Sequence, residues 1–252
     1  VTGRGGAALF TPTEVIGHRG NGRGPGENTA ESFAAAVENG AAWVEVDVRR
    51  SADDVLVVHH DAALDDGRVI VDLPAAECAK AGLLTLDAAL DAIPAGTGVD
   101  FDVKTVMEDA AAPAARRTTT LLLPYLRAER RRPVFVCSFD PAALLAVHAE
   151  APGVPTAWMP FVRNPLDQAV AGAAGMGCAA VAIDARSFGL AGDAPVRGRR
   201  ETEYAVGVAH SAGLEVVCWC PDAENAARFA AAGVDAVVVD DVPGVVAALK
   251  QG

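Results

Sequence analysis

Short apolar runs recur along the chain, each followed by a stretch whose apolar positions repeat every three or four residues. The runs read as strands and the periodic stretches as helices. A strand is predicted over 14–18. Thr29 caps a helix over 30–39 whose stripe is Phe33, Ala36 and Val37, and Gly40 closes it. A second strand over 42–48 turns at Ser51-Ala52-Asp53-Asp54 and returns over 55–60. Helices follow at 74–82 and 86–92, a strand at 99–104, and a helical pattern through 107–130. Further strands are predicted over 134–137, 154–159, 178–184, 214–219 and 236–239. Helices over 141–149, 165–174, 201–212 and 222–232 alternate with them, and a last helix runs to 250.

Strand and helix thus alternate about eight times, and many strands are continuous Val- and Ala-rich runs suited to burial on both faces. The pattern predicts an α/β fold, a single (β/α)8 TIM barrel occupying residues 1–252 as one domain. A doubly wound open sheet is the other arrangement for such alternation. It would carry a dinucleotide fingerprint, and Gly20, Gly22 and Gly24 do not have that spacing.

Polar residues interrupt the pattern where barrels place their chemistry, at the C-terminal ends of strands. His18-Arg19 ends the first strand, Glu45 and Asp47 lie near the end of the second, and His59-His60-Asp61 ends the returning run. Residues i and i+2 of a strand share a face, so Glu45 and Asp47 point the same way. Two carboxylates held that close repel unless a cation lies between them. In Val99–Lys104 the same alternation puts Asp100, Asp102 and Lys104 on one face, offering Asp102 as a third metal ligand and Lys104 as a phosphate contact. Hard oxygen ligands suit Mg²⁺ or Ca²⁺ better than Zn²⁺. His59 is out of phase with His60 and is expected to face away. Trp219 is expected to wall the pocket.

Composition narrows the partners. A net charge of −12 excludes nucleic acid and anionic membrane as main partners, since both need clustered Lys and Arg. Five cysteines form no disulfide framework, and Cys218 and Cys220 are expected to share a face as core thiols. The opening residues lack the apolar core of a signal peptide, and no run approaches a ~20-residue membrane span. The expected location is therefore cytoplasmic, although a form trimmed of a leader would read the same. Oligomeric state is not readable.

The ordered set His18-Arg19-Gly20, Glu27-Asn28-Thr29, Phe33, Gly40-Ala41, Glu45-Val46-Asp47-Val48 and His60-Asp61 resembles the opening signature of the glycerophosphodiester phosphodiesterase family. Ser138-Phe139, Trp219 and Gly233-Val234-Asp235 extend the resemblance to about residues 14–248. It implies hydrolysis of glycerophosphodiesters to glycerol 3-phosphate and an alcohol. One divalent cation, Mg²⁺ or Ca²⁺, is expected between Glu45, Asp47 and Asp102. Arg19 and Lys104 would hold the phosphoryl oxygens, and His18 and His60 would be the acid–base pair. Three departures stand out. Asp102 replaces a Glu, Gly26 stands before Glu27 where Pro is usual, and Ser51–Asp54 replaces Thr-x-Asp-Gly. Choline, ethanolamine, glycerol and inositol all remain open as head groups. A phospholipase D-like lyase that stops at a cyclic phosphate, and an inactive phosphate-binding barrel, are the alternative readings.

Overall fold

The computed structural model describes residues 8–11, 13–23, 26–194 and 198–251. Much of the lead-in over 1–13, together with Gly24, Pro25 and Arg197, lies outside them. The strands are β1 (Glu14–Gly17), β2 (Trp43–Arg50), β3 (Leu56–Val58), β4 (Gly98–Val103), β5 (Val134–Ser138), β6 (Thr156–Trp158), β7 (Ala180–Asp184), β8 (Glu215–Trp219) and β9 (Ala236–Val239). Eight pair in parallel in the order β1-β9-β8-β7-β6-β5-β4-β2, and a β1–β2 pairing closes the ring. β3 is the exception, an antiparallel arm on β2 with Val48 opposite Val58. The predicted barrel is therefore the observed fold.

The helices are α1 (Ala30–Glu38), α2 (Ala75–Lys80), α3 (Leu86–Ala92), α4 (Thr118–Ala128), α5 (Pro141–Glu150), α6 (Leu166–Met176), α7 (Ala185–Phe188), α8 (Thr202–Ser211), α9 (Ala223–Ala231) and α10 (Val242–Leu249). Thr29 caps α1 by accepting from the Ser32 N–H. The continuous helical pattern expected over 107–130 is not what forms. Two 3₁₀ turns, Met107–Ala110 and Ala114–Arg116, precede α4. Pro113 lacks the N–H a helix interior needs and separates the two turns. The short helix α7 follows β7 directly. Among the described residues no helix is long and apolar enough to cross a membrane.

Alternation along the strands sorts side chains between two cores. Val44, Val46 and Val48 of β2 and Val99, Phe101 and Val103 of β4 point outward into the layer between barrel and helices. Burying Phe101 or Phe33 completely contributes on the order of 1.5–3 kcal/mol each. The inward set forms a second core of Ile16, Trp43, Phe135, Ala157, Ala182, Val217 and Val238. Phe10 joins it from the chain's beginning, with Trp43 and Phe135 ring centroids at 5.4 and 5.5 Å. Its backbone and that of Leu9 donate to the Glu215 carboxylate at the start of β8. Part of the expected loose lead-in therefore seals the barrel's N-terminal end.

Trp43 has room only because its β4 neighbour is Gly98. A Cβ there would stand 2.1 Å from the indole ring. Gly98→Ala is expected to destabilise the fold by about 1–3 kcal/mol through overpacking. A urea midpoint lowered at constant m-value would register it, and an unchanged midpoint would contradict it.

Candidate active site

β2 and β4 run in register, with Glu45 opposite Asp100 and Asp47 opposite Asp102. Their inward carboxylates accordingly stack in layers inside the barrel. Glu45, Asp47 and Asp102 each bring an oxygen to within 4.8 Å of the others, all three buried. Glu45 Oε2 accepts from the Arg19 backbone N–H at 2.7 Å. Asn28 Nδ2 donates to Asp47 Oδ2 at 2.8 Å. Lys104 continues the β4 alternation by one step. Its ammonium lies 2.9 Å from Asp47 Oδ1 and also bonds Asp102. Glu45 Oε1 and Asp102 Oδ1 are buried with no hydrogen-bond partner.

The charges do not balance symmetrically. Burial would raise Asp47, but Lys104, Arg19 and the Asn28 bond outweigh it and hold its carboxyl well below the usual range. Burial pushes Glu45 well up, and Asp47 and Asp102 push it further. Asp102 is raised by burial, although Lys104 opposes this. Lys104 loses charge stabilisation to burial, yet Asp102, Asp47 and Glu45 more than restore it and its pKa is raised. Asp100, one layer deeper, is pushed well up by burial. Two unpartnered carboxylate oxygens beside a third carboxylate fit an oxygen-preferring divalent cation.

A cation bound here would compete with protons at Glu45 and Asp102, whose carboxyls burial raises. Apparent Mg²⁺ affinity is thus expected to rise with pH, by up to about tenfold per unit for each displaced proton, and to flatten above the Glu45 pKa. Calorimetry in two buffers of different ionisation enthalpy counts the released proton. Affinity that does not change with pH and releases none would contradict the arrangement.

Arg19 sits at φ +53, a backbone conformation rare for a residue with a side chain. Its guanidinium donates to Glu27 at 2.9 Å and lies 3.5 Å from Asp47 Oδ2. Its carbonyl accepts from the Asn28 N–H and Ser32 Oγ. Gly20 and Gly22 of this loop serve close approach by the protein itself. A Cβ on Gly22, for example, would meet the Asp240 carbonyl oxygen at 2.2 Å.

The two predicted histidines are each oriented by a carboxylate. His18 Nδ1 lies 2.7 Å from Asp240 Oδ1, and the Arg23 guanidinium holds the other Asp240 oxygen. Burial opposes charge on Asp240, but His18 and Arg23 override it and keep the carboxyl well below its usual range. An ionised Asp240 accepts the Nδ1 proton, which leaves Nε2 of neutral His18 with its lone pair. His60 Nδ1 lies 2.6 Å from Asp61 Oδ1, and its carbonyl accepts from the Arg49 guanidinium. Burial lowers the His60 pKa, against the pull of Asp47. His59 turns its ring to the Ala63 carbonyl, 3.3 Å away.

Three features escape sequence reasoning. Asp240 is remote from His18 in the chain, and only the β1–β9 pairing joins them. The second is Phe161, which with Phe139 and the expected Trp219 makes an aromatic wall near Lys104. Phe139 stacks on Phe161 at 5.0 Å and meets Trp219 edge-on at 5.9 Å, while the Lys104 ammonium is 5.9 Å from the Phe139 centroid. The third is Cys220, expected in the core beside Cys218. Cys218 is fully buried in the outer core, but β8 ends at Trp219 and Cys220 takes φ +57. That break in alternation sends its thiol to the barrel mouth, 3.9 Å from His18 Nδ1. The loop departures are accommodated. Asp54 adopts φ +64 where the family pattern has Gly, anchored by Arg116. Gly26 is at φ +92.

Comparison with known proteins places this geometry. The sequence model of the Glycerophosphoryl diester phosphodiesterase family matches residues 18–243. A glycerophosphocholine phosphodiesterase of Eremothecium gossypii is 42% identical over 87 residues, 31% of this chain and 6% of that protein. A glycerophosphodiester phosphodiesterase of Arabidopsis thaliana is 45% identical over 58 residues, 23% of this chain and 15% of that protein. The matched stretches thus span only a small part of those curated relatives. Among solved structures, an Oleispira antarctica phosphodiesterase in complex with the product sn-glycerol-3-phosphate aligns with TM-score 0.76 and 24% identity. That alignment covers 95% of this chain and 97% of the other. A Thermotoga maritima glycerophosphodiester phosphodiesterase aligns with TM-score 0.72 and 24% identity, over 94% of this chain and 98% of the other.

Proposed function

The chain belongs to the glycerophosphoryl diester phosphodiesterase family, and from that premise we propose that it hydrolyses glycerophosphodiesters to glycerol 3-phosphate and an alcohol. The observation that carries this reading is the convergence of two carboxylate-oriented histidines, Arg19 and Lys104 with the buried Glu45–Asp47–Asp102 cluster. The product named with the Oleispira antarctica structure is the product proposed here. The curated relatives named for glycerophosphocholine and glycerophosphodiesters support the substrate class.

Glu45, Asp47 and Asp102 would hold one divalent cation, Mg²⁺ or Ca²⁺, whose Lewis acidity polarises a phosphoryl oxygen and balances charge in the transition state. Lys104 and Arg19 bind the non-bridging oxygens, giving up part of their contact with Asp47 as they do so. One imidazole takes the proton of the attacking hydroxyl through Nε2, and the other returns a proton to the departing alcohol oxygen. Asp240 and Asp61 hold each ring in one orientation and stabilise its protonated form. The aromatic wall excludes water beside Lys104 and packs against the substrate's carbon skeleton. The mechanism needs only a small-molecule substrate, with neither nucleic acid nor membrane insertion.

The test is glycerol 3-phosphate release from a panel of glycerophosphodiesters bearing choline, ethanolamine, glycerol and inositol, in Mg²⁺ with and without EDTA. Release stopped by EDTA and restored by Mg²⁺ is expected. Folded, metal-loaded protein that releases nothing from any of the four would reject the reading.

A further inference from the structure

A second group of donor atoms stands at the barrel mouth. His18 Nδ1, Cys220 Sγ and Asp240 Oδ1 lie within 4.8 Å of one another and are half-buried. They offer one nitrogen, one sulfur and one oxygen, a set quite unlike the all-carboxylate cluster below. Both partners face the same ring nitrogen, at 3.9 Å for the thiol and 2.7 Å for the carboxylate. That geometry rules out a relay in which the thiol would be deprotonated through the opposite nitrogen. The thiol is moreover pushed up to about 12, by burial first and then by Asp240. It is no free nucleophile.

We propose that these three residues form a site for a thiophilic divalent cation such as Zn²⁺, and that its occupation takes His18 out of acid–base service. Bonds of ~2.0–2.3 Å in a tetrahedral site put ligand atoms about 3.5 Å apart, so the 2.7 and 3.9 Å separations about Nδ1 need changes of less than about 1 Å. Water completes the coordination. Asp240 is the largest charge acting on the thiol and Asp184 adds to it, while the guanidiniums of Arg23 and Arg186 oppose them. The Arg23 guanidinium occupies Asp240 Oδ2 and leaves Oδ1 to the site. On binding, the thiol releases its proton to solvent and sulfur bonds the metal. The Nδ1 proton, until then donated in a hydrogen bond to Asp240, leaves for solvent while Nε2 takes one up from it, so the ring becomes the Nε2–H form with no net proton change and Nδ1 bonds the metal. His18 then has no Nε2 lone pair with which to act as a base. It is also a far weaker acid than the imidazolium it can no longer become. The inhibitory half of the proposal rests on the phosphodiesterase reading; the binding half does not.

The probe is Co²⁺, because a bound thiolate gives a near-ultraviolet charge-transfer band that carboxylates and imidazole do not. In the Mg²⁺-loaded protein, Co²⁺ is expected to raise this band to about one equivalent. Cys220→Ser and Cys220→Ala should lose it, and Glu45→Gln should keep it. The other four cysteines are buried, so a band that survives in both Cys220 variants would place the thiolate elsewhere and overturn the site. No band in the parent protein would do the same. Zn²⁺ is expected to inhibit glycerol 3-phosphate release in excess Mg²⁺, with Cys220→Ser at least about tenfold less sensitive and its uninhibited rate unchanged. A normal band without inhibition of an active enzyme would overturn the inhibitory half alone. A protein inactive on every diester would reject the phosphodiesterase reading and leave the cobalt result to decide the site.

Discussion

His18→Ala and His60→Ala are each expected to lower kcat for glycerophosphodiester hydrolysis about a thousandfold, the middle of the range for a positioned general acid or base. His59→Ala is expected to change it by less than about twofold. The contrast follows from where the rings point. His18 is fixed by Asp240 at 2.7 Å and His60 by Asp61 at 2.6 Å, whereas His59 is spent on the Ala63 carbonyl. The neighbouring pair His59 and His60 carries the same chemistry at adjacent positions, so the comparison controls for composition and local backbone. KM should move little, because Arg19 and Lys104, proposed to bind the substrate phosphate, remain in place. Burial lowers the His60 pKa, so that ring stays neutral further into the acid range than an exposed histidine. The limb of the pH–rate profile due to His60 should accordingly lie on the acid side of an ordinary imidazole. Steady-state release assays on the three variants decide the matter. Equal loss in all three would overturn the assignment of faces.

Asp47→Asn is expected to affect both binding and folding. Asp47 is completely buried, and it answers Lys104 at 2.9 Å and Arg19 at 3.5 Å. Amide in place of carboxylate leaves Arg19 with Glu27 and Lys104 with Asp102. Breaking a buried ion pair from one side costs about 3–5 kcal/mol, since the remaining charge stays out of water. For a chain of this length that corresponds to a fall in melting temperature of roughly 6–20 °C. Mg²⁺ affinity should drop about a hundredfold or more with one charged ligand gone. Calorimetric unfolding and Mg²⁺ titration measure the two effects separately. A variant with the parent's melting temperature and affinity would remove Asp47 from both roles.

Much of the site was legible because strand alternation is a strict rule. Once β2 and β4 are recognised, period two alone places Glu45, Asp47, Asp102 and Lys104 on the inner wall, and the structure brings those four together. The eight-fold alternation gave the barrel for the same reason. What was not legible depends on register between distant strands or on broken alternation. Nothing near His18 in the chain announces Asp240, which arrives beside it through the pairing of the first strand with the last. Cys220 was placed in the core by extending period two one residue too far, past the end of β8 into a positive-φ residue. The helical pattern over 107–130 is realised only in its second half, as α4, because Pro113 interrupts the stretch before it. Phe161 carries no strand or helix signal at all. It is an exposed loop residue whose role is visible only once Phe139 is stacked on it.

The plug formed by Phe10, Trp43 and Phe135 has a kinetic meaning. A barrel closed at the bottom is a vessel with one opening. In the proposed reaction, substrate, water, alcohol and glycerol 3-phosphate would all pass the same rim, and none would leave by a back door while the next molecule enters. Each departing product thus stands in the path of the incoming diester, and turnover becomes a matter of traffic as well as chemistry.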